Sequence, residues 1–309
     1  MDTGILSAIG DTPLVELKRI APAGAARIVA KLESANPTGS MKDRVARAMI
    51  EAAAADGRLA PGDTVVEYTA GTTGISLALV CAALGFKSHF VFSDAFSEDK
   101  RHTMRAYGAE ITNVPSANKT ITEALIKALI ATAADISRRP HHWYCDQLNN
   151  RDGEAGYHAL GEELWRQSGG QVDALVHVVG TAHSIHGSGC ALRRHNAQLR
   201  VVAVEPAESP VLSGRPSGPH NIDGIGIGFV PPLWRPSEVD EILTVPTVEA
   251  KAMARRLARE EGLFAGTSTG ANLTAAVRIA ERLGRGKTVA TLVVDSGLRY
   301  LSTDLYRSA

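Results

Sequence analysis

Short β-branched apolar runs alternate along the chain with longer stretches in which apolar residues recur at helical spacing. The runs predict strands at 27–32, 64–67, 89–92, 110–114, 174–179, 201–205 and 289–294. The longer stretches predict helices near 41–56, 74–85, 97–107, 120–134, 154–167, 184–195, 247–261 and 269–283. Strands that alternate with helices in this way are typical of a doubly wound, mostly parallel α/β architecture.

Two segments stand out from this alternation. The stretch 75–86 is the most apolar of the chain, and its length of about 12 residues suits a buried helix but is too short to span a bilayer. The segment 209–236 is rich in glycine and proline and has little periodicity, so we expect a long surface loop. In parallel α/β sheets, ligands bind where the carboxyl ends of strands meet helix amino ends, so we expect the chemistry there.

Composition and charge exclude several classes of protein. The 309 residues include 33 Lys+Arg and 33 Asp+Glu, so no excess of cations is available to neutralise nucleic-acid phosphates. The first residues show no basic segment followed by an apolar core, so we expect no signal peptide. Cys81, Cys145 and Cys190 lie far apart and form no C-x-x-C motif, which favours a reducing, cytoplasmic location without disulfides.

The first candidate for chemistry is Lys42. It follows an Asn-Pro-Thr-Gly turn and falls in the first turn of a predicted helix. A cation there meets the positive end of the helix dipole, which lowers the cost of losing the charge. A lysine that forms a Schiff base must lose its charge, so the position suits that role; a solvated surface lysine is the alternative.

Two loops between a strand and a helix carry small hydroxyl residues and glycines. Residues 67–74 read Glu-Tyr-Thr-Ala-Gly-Thr-Thr-Gly, and residues 179–187 read Val-Gly-Thr-Ala-His-Ser-Ile-His-Gly. Free amides at a helix amino end bind anions, so each loop is either an anion site or an ordinary tight turn. His183 and His186 have no carboxylate or cysteine at ligand spacing, so we expect no metal. Asp295 and Ser296 follow the last strand and complete the candidate set.

Taken in order, these segments resemble the cysteine synthase (O-acetylserine sulfhydrylase) family of fold-type II pyridoxal-phosphate enzymes. The similarity covers nearly the whole chain and includes 9–14, 36–44, 97–101, 205–209, 218–229, 266–271 and 295–302. It implies two doubly wound α/β domains of the tryptophan synthase β-like fold, with pyridoxal 5'-phosphate as the cofactor. It also implies a smaller, mobile domain over 35–145, which carries the carboxylate-binding loop. Residues 1–34 and 146–309 would form the larger, cofactor-binding domain.

The resemblance also implies roles for individual residues. Lys42 would be the Schiff-base lysine and later the base that removes the Cα proton. The other residues on the cofactor would be Thr72, Gly180, Thr181, Ala182, His183, Ser184 and Ser296, with residues 180–184 around its phosphate. The residues on the substrate side would be Thr69, Ala70, Gly71, Thr73, Gln147 and Gly224, the last in a loop that borders the entrance.

The partner of the pyridine nitrogen decides the class of reaction. Ser296 resembles that partner, and a neutral hydroxyl does not hold the pyridinium proton as a carboxylate would. The ring is then a weaker electron sink, which favours loss of a β-substituent over transamination and racemisation. Asp295 as the partner would reverse this argument. The resemblance thus implies elimination and replacement on an activated L-serine, most directly O-acetyl-L-serine and sulfide giving L-cysteine.

The chain departs from the family pattern in both loops. The family's Thr-Ser-Gly-Asn-Thr-Gly is here Thr-Ala-Gly-Thr-Thr-Gly, so Ala70 lacks a hydroxyl and Thr72 replaces an amide that usually contacts the cofactor ring oxygen. One lost hydrogen bond to a charged partner costs roughly 1.5–3 kcal/mol. The family's Gly-Thr-Gly-Gly-Thr is here Gly-Thr-Ala-His-Ser, and Ala182 and His183 have fewer backbone choices than glycine. His183 either contacts the phosphate or faces away.

Three functions therefore stay open. The first is a cysteine synthase, which the segment 218–229 favours. The second is a related β-substitution enzyme with another donor or nucleophile: O-phosphoserine-using, cystathionine β-synthase-like, or making a non-protein amino acid; Ala70, Thr72 and His183 favour it. The third is a catalytically weak scaffold that binds the C-terminal peptide of a serine acetyltransferase. The family also implies a homodimer, and neither nucleic acid nor membrane is an expected partner.

Overall fold

The computed structural model of the chain describes residues 4–118 and 122–307. Contacts divide the chain into two compact units: Met1–Ile9 with Lys42–Gly156 form the first unit, and Gly10–Met41 with Tyr157–Ala309 form the second. The domain limits inferred from the sequence, and the mobility of the smaller domain, stay predictions.

The first unit is built on a parallel sheet with the strand order β5-β4-β3-β6. Its strands are β3 (Thr64–Tyr68), β4 (Lys87–Ser93), β5 (Glu110–Val114) and β6 (His142–Tyr144). Its helices are α1 (Lys42–Ala55), α2 (Thr72–Leu84), α3 (Glu98–Ala106) and α4 (Glu123–Ser137). The apolar runs of β3 and β4 are buried because helices cover the central strands of a parallel sheet.

Helix α2 is the buried helix that the apolar stretch 75–86 predicts. All residues from Thr73 to Cys81 are buried, so this helix has no polar face. It begins after Gly71 and ends at Gly85, whose φ of 77° is the left-handed conformation that commonly closes a helix. In the described residues, no helix is long and apolar enough to cross a membrane.

The second unit is built on a sheet with the strand order β1-β2-β10-β7-β8-β9, in which only the edge strand β1 is antiparallel to its neighbour. Its strands are β1 (Leu14–Leu17), β2 (Arg27–Leu32), β7 (Ala174–Val178), β8 (Arg200–Pro206), β9 (Glu241–Val245) and β10 (Thr288–Val293). Its helices are α6 (His183–His195), α7 (Thr247–Arg256), α8 (Thr267–Leu283) and α9 (Asp304–Arg307), preceded by α5 (Ala155–Gln167), which begins at the end of the first unit. Strands β7 and β10 are buried along their whole length.

The predicted α/β class is confirmed, and each predicted strand exists to within about two residues. Three short strands were not predicted, namely β1, β6 and β9. They lie at sheet edges and are only partly buried, so their sequences lack a continuous apolar run. The predicted helix 247–261 is α7 followed by a π-helical turn, Leu257–Glu261.

The segment 209–236 is confirmed as a long irregular segment, with no helix or strand before Pro236 in this fully described part of the chain. It does not lie only on the surface, because Ile222, Ile225 and Leu233 are buried. The loop is thus anchored by apolar side chains while its glycines stay near the surface.

Candidate active site

Lys42 is the first residue of α1, so its predicted place in the first helical turn is confirmed. The turn before it closes through the Gly39 amide, which donates to Asn36 O at 2.7 Å. The Met41 amide donates to Val294 O at 2.9 Å, and Ser40 forms a β-bridge with Asp295. The residues that precede Lys42 are therefore fixed to the carboxyl end of β10 in the second unit.

The amino ends of α1 and α2 lie side by side in the first unit. Asp43, directly after Lys42, accepts a hydrogen bond from Ser76 Oγ at 2.6 Å, and both side chains are fully buried. Ser76 is one turn into α2. This contact places Lys42 and the loop before α2 in the same part of the first unit.

Thr69 organises the loop of residues 69–73. Its Oγ1 accepts hydrogen bonds from the amides of Gly71, at 2.9 Å, and Gly74, at 3.0 Å. Two of the amides that the sequence suggested for anion binding are therefore used inside the loop. The amides of Thr72 and Thr73 are in the first turn of α2, where a helix offers no acceptor of its own. These two amides can serve an anion.

Gly71 is held against a buried lysine. Its φ is 126°, and a Cβ there would lie 2.3 Å from Lys100 Cδ, so any other residue would be strained and would displace Lys100. Lys100 comes from α3 and is 7% exposed. Ala70, by contrast, is exposed. The methyl group that replaces the family's hydroxyl is thus a surface group, whereas the backbone next to it is tightly constrained.

Gln147 lies beside the same loop and is tied to the end of β3. Its amide donates to Glu67 Oε2 at 2.9 Å, and its side-chain Nε2 donates to Tyr68 O at 3.0 Å. Glu67 also accepts from the Tyr68 amide at 3.0 Å. The first unit therefore brings together Lys42, the 69–73 loop and Gln147.

Glu67 is a residue whose environment the sequence did not reveal. Its pKa is raised to about 8, chiefly by burial; the hydrogen bond from the Gln147 amide opposes this shift, and the nearby charge of Asp146 adds to it. The sequence hints at this environment only by placing a carboxylate near the end of an apolar strand. Because Glu67 accepts from the amides of Tyr68 and Gln147, it connects the end of β3 to Gln147.

In the second unit, the loop of residues 180–184 joins β7 to α6. Ala182 has a φ of 75°, although it carries a side chain, and it is buried. A left-handed alanine costs roughly 1–2 kcal/mol, which the surrounding contacts must offset. His183 is buried, and its Nδ1 lies 2.8 Å from Thr181 Oγ1. One ring nitrogen of His183 is therefore engaged inside the loop rather than directed to solvent.

The 180–184 loop and the glycine-rich loop near Gly224 are in contact. A Cβ on Gly180 would lie 2.7 Å from the carbonyl oxygen of Gly224, so only glycine permits this approach. The Asp223 amide donates to Thr267 Oγ1 at 3.1 Å, at the amino end of α8. Residues 180–184, Gly224 and the start of α8 thus form one cluster.

Asp295 and Ser296 are distinguished by their partners. The Tyr300 hydroxyl donates to Asp295 Oδ2 at 2.6 Å, and Asp295 is buried. Burial and the neighbouring Asp295 raise the pKa of the Tyr300 hydroxyl well above its usual range. Ser296 is only partly buried; its amide donates to Gly39 O at 2.9 Å, and its Oγ accepts from the Leu298 amide at 3.3 Å. The carboxylate is thus engaged inside the unit, and Ser296 keeps its hydroxyl proton for another acceptor.

His183 and His186 have separate partners. His186 Nε2 accepts from the Arg235 amide at 3.1 Å, and its Nδ1 lies 3.1 Å from Glu238.

An open depression of about 450 Å³ lies elsewhere on the second unit, at Lys18, Arg27 and Arg285, and contains none of the candidate residues.

The chain is similar to known proteins over nearly its whole length. The family model described as pyridoxal-phosphate dependent enzyme matches residues 5–295. The cysteine synthase of Staphylococcus aureus strain Mu50 is 42% identical over 305 residues, which cover 98% of this chain and 96% of that protein.

Solved structures share the fold of this chain over nearly its whole length. The cysteine synthase of Entamoeba histolytica superposes with a TM-score of 0.92 at 36% identity and covers 99% of this chain and 91% of its own. The O-acetylserine dependent cystathionine β-synthase of Helicobacter pylori superposes with a TM-score of 0.92 at 34% identity and covers 99% of both chains.

Proposed function

Because the chain belongs to the cysteine synthase family of pyridoxal-phosphate dependent enzymes, we propose that it converts O-acetyl-L-serine and sulfide to L-cysteine. The observation that carries the proposal is the 42% identity with a cysteine synthase, which extends over 98% of the chain. The position of Lys42 at the start of α1, and of Ser296 shortly after the end of β10, supports it.

The residues present fit the cofactor. A phosphate needs donors in a confined loop, and residues 180–184 offer first-turn amides of α6 and the Ser184 hydroxyl, at a point where Gly180 leaves no room for a side chain. Ser296 would offer its hydroxyl to the ring nitrogen, and Lys42 would offer its amine to the aldehyde group. Bound pyridoxal phosphate withdraws electrons from the amino acid, so that the α-proton can be removed and the β-substituent can leave.

The chain's own residues supply binding and proton transfer. The amides of Thr72 and Thr73 and the side chain of Gln147 bind the substrate carboxylate. Lys42 Nζ removes the proton from the substrate Cα and can return it when the product forms. Ser296 donates its proton without giving the ring a positive charge, which favours replacement at the β-carbon.

A second candidate function has a specific observation in its favour. Ala70 is exposed and Thr72 is half-buried in the 69–73 loop, where the family pattern places a hydroxyl and an amide. Both changes lie beside the substrate and alter what the loop can donate. They favour a different donor, such as O-phospho-L-serine, or a nucleophile other than sulfide.

The test is the visible absorption spectrum of the purified protein. The proposal expects a cofactor band that O-acetyl-L-serine changes and sulfide restores, with one L-cysteine formed per substrate consumed. Lys42→Ala should abolish both the change and turnover. Lys127→Ala removes a lysine whose side chain is 70% exposed and should leave them intact.

Other outcomes would overturn the proposal. A band that responds only to O-phospho-L-serine or L-serine, or restoration only by another thiol, would establish the second candidate. A protein that binds no pyridoxal phosphate, yet retains a serine acetyltransferase C-terminal peptide, would be a scaffold. Sedimentation with and without the acetyltransferase would test the proposed homodimer and this partner together.

A further inference from the structure

A buried hydrogen-bonded chain lies directly under the 180–184 loop. His177 on β7 is 2% exposed, and its Nε2 lies 2.8 Å from Ser184 Oγ. Asn272 on α8 is fully buried, and its Nδ2 lies 3.4 Å from His177 Nδ1. The chain Asn272–His177–Ser184 thus leads from the interior of the second unit to the candidate phosphate site.

The orientation of the Asn272 amide is fixed by two backbone groups. The Val178 amide can only donate, and it donates to Asn272 Oδ1 at 2.8 Å. The Leu292 carbonyl can only accept, and it accepts from Asn272 Nδ2 at 3.0 Å. Because both contacts demand the same orientation, the atom that faces His177 is the amide nitrogen, which is a donor.

This orientation determines the tautomer of His177. A donor faces Nδ1, so Nδ1 is the acceptor and carries no proton. The neutral ring then carries its proton on Nε2, which donates to Ser184 Oγ. A hydroxyl that accepts one hydrogen bond still has its own proton to donate, so Ser184 directs its O–H to another acceptor.

We propose that His177 is a positioning residue that holds Ser184 as an obligate donor to the cofactor phosphate. The inference rests on the proposed function, because it takes residues 180–184 as the phosphate site. With Ser184 fixed in this way, its hydroxyl and the first-turn amides of α6 all donate, so the loop is suited to the fully deprotonated phosphate.

The first test measures dissociation constants of pyridoxal phosphate from the refolded or dialysed apoprotein. Ser184→Ala should weaken binding about ten- to a hundredfold, the usual effect of one hydrogen bond to a charged group. His177→Leu should weaken it by a similar factor, and His177→Gln, whose amide can still donate to Ser184, should recover most of the affinity. Pyridoxal, which lacks the phosphate, is the matched ligand and should bind all variants equally.

The double variant separates positioning from a structural role. With Ser184 already alanine, His177→Leu should cause no further loss of pyridoxal phosphate affinity. Nitrogen-15 NMR of the histidine side chains should show His177 protonated at Nε2 in both the apoprotein and the holoprotein. This readout does not depend on activity.

Three results would overturn the inference while leaving the proposed function intact. The first is normal pyridoxal phosphate affinity in His177→Leu when Ser184→Ala is weakened, the second is effects of the two changes that simply add, and the third is a proton on His177 Nδ1. If residues 180–184 do not hold the phosphate, Ser184→Ala itself leaves pyridoxal phosphate affinity unchanged, and the place of this loop in the proposed function fails.

Discussion

Replacing Glu67 by glutamine should flatten the pH dependence of stability in the first unit. The carboxyl group is fully buried, and its pKa is raised from 4.5 to about 8, chiefly by burial. The folded state therefore favours the protonated form, whereas the unfolded chain ionises near pH 4.5. The contribution of Glu67 to the unfolding free energy should therefore be largest below pH 4.5 and should fall as the pH rises toward 8.

The magnitude follows from the two pKa values. Each pH unit between 4.5 and about 8 corresponds to about 1.4 kcal/mol, so the group accounts for roughly 5 kcal/mol across this range. Glutamine has no proton to lose, so the variant does not show this decrease in unfolding free energy with rising pH. Glu67 accepts hydrogen bonds from two backbone amides, and in the variant the side-chain amide nitrogen will face one of them. The lost hydrogen bond costs about 1–3 kcal/mol of stability at every pH. The variant should be less stable than the wild type at pH 5 and more stable at pH 8.

The assay is hydrogen exchange of the β3 amides from pH 5 to pH 8, corrected for the intrinsic pH dependence of exchange. It reports the opening free energy of the first unit without assuming that the whole chain unfolds in one step. The control Glu281→Gln removes an exposed carboxylate from α8, and its opening free energy should follow that of the wild type at every pH. A difference between Glu67→Gln and the wild type that stays constant over the whole pH range would refute the reasoning.

Two further substitutions test the geometry of the loops. Gly71→Ala should destabilise the protein in urea unfolding by about 1–3 kcal/mol more than Gly85→Ala. Both residues have positive φ, but a Cβ at Gly71 would meet Lys100, whereas nothing lies within 4 Å of a Cβ at Gly85. Equal costs would show that Lys100 moves aside. Gly180→Ala should raise the dissociation constant of pyridoxal phosphate about tenfold, or ~1.4 kcal/mol, because its Cβ would press on the Gly224 carbonyl at 2.7 Å. An unchanged constant in equilibrium dialysis would show that the loop tolerates the methyl group.

The sequence was informative where chemistry follows directly from local pattern. The turn before α1 and the start of that helix fix the place of Lys42, and both are visible as Asn-Pro-Thr-Gly followed by a helical pattern. The loops 69–73 and 180–184 were found because each follows a buried strand and precedes a helix. Local pattern was sufficient here because these features depend on neighbouring residues.

Features that depend on distant residues were not visible. The pKa of Glu67 is raised by its burial, and the Gln147 amide that opposes the shift comes from a residue 80 positions away. The tautomer of His177 depends on Asn272, which is 95 residues away, and a histidine in an apolar strand gives no sign of such a partner.

The pairing of β2 with β10 has a consequence for synthesis of the chain. Arg27 of β2 lies beside Thr288 of β10, so strands 261 residues apart are neighbours in the sheet. A ribosome therefore makes the β1–β2 hairpin long before it completes the parallel neighbour of β2. Until then one edge of β2 has no strand to pair with, and such edges are prone to join other chains. The sheet of the first unit has no such delay, because its four strands all lie within residues 64–144 and leave the ribosome close together.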